Sequence, residues 1–178
     1  MTVKTKDLVV AALLTALSML IPLVFPSIPL GPFTATFASH LPIMIAMFIS
    51  PAVSAAVAVG SLLGFAIKFA SMPWVIARAA MHIPFALLGA NMLKKHCDIY
   101  VTASVTMVVH AVLEVIAVLP FLSMMPKTPK MLNIFSLQIP ITWSLVILFG
   151  TMIHHAIDFT LAMAILPVLR RTGYIKKL

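Results

Sequence analysis

Apolar segments approaching the ~20 residues that cross a bilayer recur along the whole of this chain, with few residues between them. Of its 178 residues, 62% are hydrophobic and only 9% are charged. A soluble protein of this size has too little interior to bury so many apolar side chains. The sequence therefore predicts a single transmembrane domain over residues 1–178.

Breaks rich in proline, glycine and lysine divide the apolar sequence into six predicted spans. The fold class predicted is all-α, an integral membrane six-helix bundle. The spans cover residues 7–24, 33–49, 52–69, 74–93, 99–122 and 141–169. Six spans place both termini on one side, and eight of the twelve lysines and arginines fall on that side. Because loops rich in lysine and arginine stay in the cytoplasm, we expect both termini to be cytoplasmic.

The basic balance of the chain has a topological explanation. Its net charge is +8 and its pI about 10.1, but the basic residues lie at the span ends rather than on one patch. We therefore expect membrane lipid and no nucleic acid as a partner. Cys97 is the single cysteine, so no internal disulfide forms. No Gly-x-x-x-x-Gly-Lys-Ser/Thr phosphate loop occurs, which argues against ATP hydrolysis by that route.

Ionisable residues lie inside the predicted spans, where a charge at mid-bilayer costs ~2.5–3.5 kcal/mol on insertion scales. They are five of the six histidines, Arg78, Glu114 and Asp158. Such residues usually face a cavity and serve a function. The predicted topology brings several of them to the outer half of the bundle. With residues at the rim, the candidate substrate-binding set is His40, Lys68, Trp74, Arg78, His82, His110, Glu114 and Trp143.

Structural roles compete with these functional ones. Arg78, about one turn into its span, can extend to the interface, and Glu114 can form a purely structural pair. His154 and Asp158 are four residues apart in the middle and inner half of the sixth span, which favours an intrahelical structural pair. The histidines are spread over four predicted spans without recognised ligand spacing, so the sequence predicts no metal site.

Small residues at a spacing of four mark two of the predicted spans. Ala12 and Ala16 share one face of the first, and a ridge at positions 52, 56, 60 and 64 follows the third. Small residues at this spacing let another helix backbone approach closely. We expect the ridge to pack inside the bundle, whereas an external partner is as plausible for the alanine pair.

At this point the chain resembles a known family, the substrate-binding S components of energy-coupling factor (ECF) vitamin transporters. These are six-helix proteins of similar length, and the resemblance covers essentially the whole chain. Their first helix carries an Ala-x-x-x-Ala motif that docks on the transmembrane coupling subunit. The segments that carry the resemblance are Ala12-Leu-Leu-Thr-Ala16, Gly31-Pro32-Phe33, Ser39-His40-Leu41-Pro42 and Ser50-Pro51.

The resemblance implies a binding subunit rather than an enzyme, located in the bacterial plasma membrane. Its implied partners are the coupling subunit, docked at Ala12 and Ala16, and two ATPase subunits. These partners hydrolyse the ATP, so no cofactor is expected in this chain. Metal-specific relatives begin Met-His, whereas this chain begins Met1-Thr2, which counts against cobalt or nickel as substrate.

The choice of substrate is open at this point. A small anionic heteroaromatic such as niacin suits an arginine, a lysine and aromatic rings near the outer mouth. Pyridoxine, a thiamine pyrimidine, pantothenate and cobalamin are alternatives. A different class of function also fits the sequence: a standalone proton-coupled carrier that uses Glu114, Asp158 and the intramembrane histidines as a relay.

Overall fold

Helices make up most of this fold, and two short β-hairpins interrupt them. A computed structural model describes residues 5–31, 33–125, 132–134, 137–139, 143–171 and 173. The helices are α1 (Thr5–Val24), α2 (Leu41–Met47), α3 (Pro51–Lys68), α4 (Pro73–Ala80), α5 (His82–Lys94), α6 (Ile99–Val118) and α7 (Trp143–Arg171). The antiparallel hairpins are β1 (Ser27–Leu30) with β2 (Phe33–Thr36), and β3 (Leu132–Ile134) with β4 (Leu137–Ile139). A 3-10 helix, Leu119–Met124, follows α6.

Four helical segments among the described residues are long and apolar enough to cross a membrane. They are Pro51–Lys68, Pro73–Lys94, Ile99–Met124 and Trp143–Arg171. In α1 the apolar stretch, Leu8–Val24, is slightly shorter. These five segments overlap five of the six predicted spans. The protein is thus a helical membrane protein.

The segment predicted as the second span, 33–49, is not a continuous helix, and that prediction was wrong. It consists of β2, a turn and the seven-residue α2, which at 1.5 Å per residue is only about 10 Å long. Six of the seven residues of α2 are buried, because this helix packs between α3, α5 and α7. The segment is apolar because it lies in the core of the protein. A short apolar run in a sequence can indicate a buried core helix as well as a membrane span.

A proline divides the predicted fourth span into two helices. The ring of Pro84 would clash with the carbonyl of Ala80 in a continuous helix, and proline has no N–H to donate. The first helix, α4, accordingly ends at Ala80. Met81 then donates to Arg78 O at 2.9 Å, and α5 begins at His82. The break separates two candidate site residues, Arg78 and His82, onto different helices.

The first and third helices run parallel. Gly60 of α3 faces Thr15, where a Cβ would lie 2.7 Å from the Thr15 carbonyl oxygen, and Gly64 faces the backbone of Met19 in the same way. Residue numbers therefore increase in the same direction along both helices. The close approach confirms that Gly60 and Gly64 pack inside the bundle, whereas positions 52 and 56 of the small-residue ridge are exposed, contrary to expectation. It also requires residues 25–50 to return across the bundle, although α2 does not span it.

The later helices alternate in direction. Contacts show that α3 is antiparallel to α5, that α4 and α5 are antiparallel to α6, and that α6 is antiparallel to α7. The contacts that fix these directions are Ser54–Ala86 and Ser61–His82, Arg78–Glu114 and Gly89–Thr106, and Thr106–His155 and Glu114–Thr151. Polar side chains of α3 to α7 thereby meet at one level of the bundle.

Candidate substrate-binding site

A buried ion pair joins α4 to α6. The Nε and Nη2 atoms of Arg78 donate to the same oxygen of Glu114, Oε2, at 3.0 and 2.8 Å. Thr151 of α7 donates to that oxygen as well. The guanidinium carbon lies 4.6 Å from the centre of the Phe33 ring, a distance at which a cation–π interaction forms. Arg78 is only 5% exposed, so it turns into the bundle instead of extending to the interface.

Several polar atoms near this pair are buried without a hydrogen-bond partner among the described residues. They include Nη1 of Arg78, Oγ1 of Thr34, Nε1 of Trp74 and Nε2 of His110. A buried donor left unsatisfied costs about 1–3 kcal/mol, and more when it is charged. Arg78 and Thr34 both line the same cavity. Free donors that line a cavity are available to an acceptor, whether on a ligand or on a water molecule.

The cavity between these side chains is small in this structure. Its free volume is about 20 Å³, which holds about one water molecule and no aromatic ring. The lining residues are Thr34, Ser39, His40, Phe65, Val75, Arg78, Ala79, His82, Glu114, Thr151 and His154. A ligand the size of a vitamin therefore enters only when the surrounding side chains or α4 move outward.

Asp158 of α7 holds the turn before α2 in place. Its Oδ1 accepts from the backbone N–H of Ala38 at 3.1 Å, and its Oδ2 accepts from that of His40 at 2.9 Å. Ala38 has a positive φ of 60°, a left-handed conformation that is uncommon for alanine. Non-helical backbone inside a membrane protein needs partners of this kind, because no water satisfies its amides. Asp158 thus fixes the position of the His40 side chain.

Five buried or nearly buried histidines form one connected cluster around His40. Its Nε2 atom lies 3.1 Å from Nε2 of His82, and its Nδ1 atom lies 3.1 Å from Oδ2 of Asp158. Ring contact joins His40 to His110, whose centroids lie 4.9 Å apart. Other contacts of the cluster include Ser61 Oγ to His82 Nδ1 at 3.0 Å, Ser39 Oγ to His154 Nε2 at 3.1 Å, His110 Nδ1 to His155 Nδ1 at 3.2 Å, and His110 Nε2 to Glu114 Oε1 at 3.4 Å. The cluster connects the ion pair to Asp158.

Half of the predicted substrate-binding set lines the cavity. Those four residues are His40, Arg78, His82 and Glu114. His110 lies beside them, fully buried and in contact with Glu114, but it is not part of the lining. The structure therefore brings five of the eight predicted residues together.

The other three predicted residues lie outside the lining. Lys68 donates from Nζ to the carbonyl of Phe25 at 2.8 Å and to Oγ of Ser27 at 3.0 Å, so its ammonium ties α3 to the connection after α1. Trp74 and Trp143 pack in an apolar cluster with Phe33. The indole of Trp143 also covers Gly31, whose φ of 63° and missing Cβ make room for the ring.

The division of the polar residues into an outer and an inner group does not hold. His154 lines the cavity, and Asp158 contacts His40 directly. The reason is the extended β2, which advances about 3.3 Å per residue where a helix advances about 1.5 Å. His40 consequently lies deeper than a continuous helix over 33–49 would place it. Ser39, Thr34 and Thr151 were missed because isolated hydroxyl residues in apolar segments give no distinctive signal.

The predicted docking pair lies on the outer surface of α1. Ala12 and Ala16 are exposed, and so are the large neighbours Leu13 and Leu17. Thr15 and Met19, on the neighbouring strip of this helix, face α3. The alanine pair is thus accessible to another protein within the membrane, although this geometry alone does not identify one.

Comparison with known proteins gives one informative relative. The niacin transporter NiaX of Lactococcus lactis subsp. cremoris (strain MG1363) is 36% identical over 176 residues, which cover 94% of this chain and 76% of the relative. This chain belongs to the niacin-transporter family of ECF S components. It is therefore a multi-pass protein of the bacterial plasma membrane with a role in vitamin uptake. No family model and no solved structure matches the chain.

Proposed function

We propose that this S component captures niacin from outside the cell, with the carboxylate of the vitamin bound to Arg78. The observation that carries the proposal is the free Nη1 atom of a buried arginine in the cavity lining. Arginine recognises carboxylates through a planar set of donors. The free hydroxyl of Thr34 lines the same cavity and offers a second donor. The NiaX relationship supports niacin over the other vitamins that the sequence left open.

Glu114 and Thr151 orient the arginine in this proposal. Glu114 occupies Nε and Nη2 of Arg78 through one oxygen, which fixes the plane of the guanidinium and leaves Nη1 for the ligand. The ring of Phe33 packs against one face of the guanidinium. The aromatic ring of niacin would lie among Phe65, His40 and His82, which also line the cavity. In this proposal niacin enters when the lining side chains or α4 move outward, and the break between α4 and α5 at Met81 is the pivot we propose for α4.

Uptake then depends on partner subunits in the proposed mechanism. The S component docks through the exposed Ala12 and Ala16 on an ECF transmembrane coupling subunit, and two ATPase subunits hydrolyse ATP. The absence of a phosphate loop from the sequence supports an energy source in other chains. The parallel packing of α1 on α3 and the alternation of the later helices support six crossings with both termini cytoplasmic.

Equilibrium binding of radiolabelled nicotinate to the purified protein in nanodiscs tests the substrate assignment. We expect saturable binding that Arg78→Ala weakens at least about tenfold, because a lost charge-assisted hydrogen bond costs ~1.5–3 kcal/mol. Lys68→Ala is the matched control, since Lys68 is a cation near the same end of the bundle that does not line the cavity. Nicotinamide, which lacks the carboxylate, should compete poorly. Equal binding by Arg78→Ala and the wild type would refute the proposal.

Uptake assays separate this mechanism from the proton-coupled alternative. Cells that express the chain should accumulate nicotinate only when the coupling subunit and ATPases are also present. A protonophore should abolish uptake in cells without those partners if the histidine and carboxylate cluster is a proton relay. Full uptake without the partners would therefore favour the standalone carrier.

A further inference from the structure

Three of the clustered histidines present ring nitrogens to a common point. His40 precedes α2, His82 begins α5 and His110 lies in α6. One nitrogen from each lies within 4.8 Å of the other two, and all three residues are buried. The Nε2 atoms of His40 and His82 are 3.1 Å apart. In a tetrahedral zinc site, bonds of about 2.0–2.1 Å place neighbouring nitrogens about 3.3 Å apart.

We propose that His40, His82 and His110 bind a divalent transition metal, with Zn²⁺ as the ion that three imidazoles commonly hold. Three imidazoles are the protein ligands of many zinc sites that keep a fourth position open. Two of the three, His40 and His82, line the cavity. The open position therefore faces the cavity, where a water molecule or the bound substrate completes the coordination.

The second nitrogens of two ligands lie beside polar groups. Nδ1 of His82 is hydrogen-bonded to the hydroxyl of Ser61 at 3.0 Å, and Nδ1 of His40 lies 3.1 Å from the carboxylate of Asp158 in a charge contact that is not aligned as a hydrogen bond. Histidines that bind metals almost always donate their other N–H to a carboxylate, a carbonyl or water. The Asp158 contact favours a proton on Nδ1 of His40, which leaves the lone pair of Nε2 directed at the site.

The charges of the site also favour a bound dication. With neutral imidazoles, Arg78, Glu114 and Asp158 sum to one negative charge in a buried environment. If nicotinate is the ligand, as in the proposed function, its carboxylate adds a second negative charge. Uncompensated buried charge is costly, and one divalent cation makes the loaded site neutral. The metal itself is tested below without nicotinate, so failure of either proposal is distinguishable.

A second group of ligating atoms competes for His40. His154 and Asp158 also lie close enough to hold an ion with it. Asp158 is less suited to that role because both of its oxygens already accept backbone N–H groups. The set of His40, His82 and His110 is therefore the one we test.

Metal analysis of the full chain without a polyhistidine tag tests the site. Protein in nanodiscs is stripped with a chelator, incubated with Zn²⁺ or Co²⁺, desalted and measured by plasma mass spectrometry. We expect about one ion per chain, and intense visible absorption from tetrahedral Co²⁺. His82→Gln should abolish the ion, and Ser61→Ala should weaken it about tenfold, as loss of an outer partner does.

The matched control is His154→Gln, a partly buried cavity histidine that belongs only to the competing group. It should retain the ion. Retention by His82→Gln, or loss in His154→Gln alone, would overturn the assignment to His40, His82 and His110. The wild-type protein alone can also refute the site. A site with three histidine ligands should be filled after loading, so fewer than about 0.1 ions per wild-type chain would overturn the proposal, even if the variants do not fold.

Discussion

Arg78 and Glu114 pair asymmetrically: two nitrogens of the guanidinium share one carboxylate oxygen, while a third nitrogen has no partner among the described residues. Glu114 therefore serves as a support for Arg78 as well as its counter-charge. Breaking a buried pair by removing one partner costs about 3–5 kcal/mol, whereas replacing both charges is often nearly neutral. This difference separates the structural role of the pair from its role in binding.

Removal of the Glu114 charge should destabilise the protein more than removal of both charges. We expect Glu114→Gln to lower the Tm by about 6–12 °C, on the basis of ~3 kcal/mol and ~2–4 °C per kcal/mol for a chain of this size. The double variant Arg78→Met with Glu114→Gln should recover most of that loss but not bind nicotinate. Thermal unfolding in detergent measures both variants. Additive destabilisation in the double variant would show that the two side chains are not coupled.

A bulky side chain at the alanine pair of α1 should block docking but not ligand binding. Ala12→Trp and Ala16→Trp place an indole where a partner helix is proposed to approach closely. Co-purification with the coupling subunit measures docking, and nicotinate affinity measures binding. Val108→Trp, on the exposed side of α6, is the control for a tryptophan in contact with lipid. Normal co-purification of both alanine variants would locate the docking surface elsewhere.

A methyl group at Gly64 should loosen the packing of α1 on α3. The new Cβ meets the backbone of Met19, which cannot rotate away as a side chain does. Overpacking of this kind costs about 1–3 kcal/mol, so Gly64→Ala should lower the Tm by about 2–12 °C. Ala56→Val adds methyl groups at an exposed position of the same helix and should change the Tm little. Equal Tm values for the two variants would contradict the close contact.

The amides held by Asp158 should lose protection when its charge is removed. Asp158→Asn keeps the shape but leaves one oxygen to accept from Ala38 and His40, and each hydrogen bond to a charged group contributes about 1.5–3 kcal/mol. Hydrogen exchange of a peptide that contains residues 37–41 should therefore become faster. Asp98→Asn is the matched control, because Asp98 accepts from Tyr100 and Val101 at the exposed start of α6. Unchanged exchange near His40 in Asp158→Asn would show that the carboxylate does not hold the turn.

The predicted residues that the structure brings together at the cavity are those whose chemistry is out of place in lipid. Arg78 and Glu114 could be predicted because a charge in an apolar segment needs an explanation. The depth of His40 could not, because periodicity does not distinguish a short buried helix after a strand from a continuous span. Thr34 and Thr151 were missed for a related reason, since threonine is common in helices and strands of every kind. Lys68 was predicted to bind substrate because it lies near the predicted outer end of the bundle. Its ammonium instead donates to the backbone carbonyl of Phe25.

The tie between Asp158 and the turn before α2 has a consequence for the order of assembly. Residues 37–41 are synthesised more than one hundred residues before their carboxylate partner, as the separations of 120 and 118 positions in the two hydrogen bonds show. Until α7 has left the ribosome, the amides of Ala38 and His40 lack this acceptor, so the segment from β2 to α2 cannot settle in the lipid interior. Biogenesis of this small protein is thereby completed by its last helix, and a nascent chain truncated before Asp158 should remain with the insertion machinery.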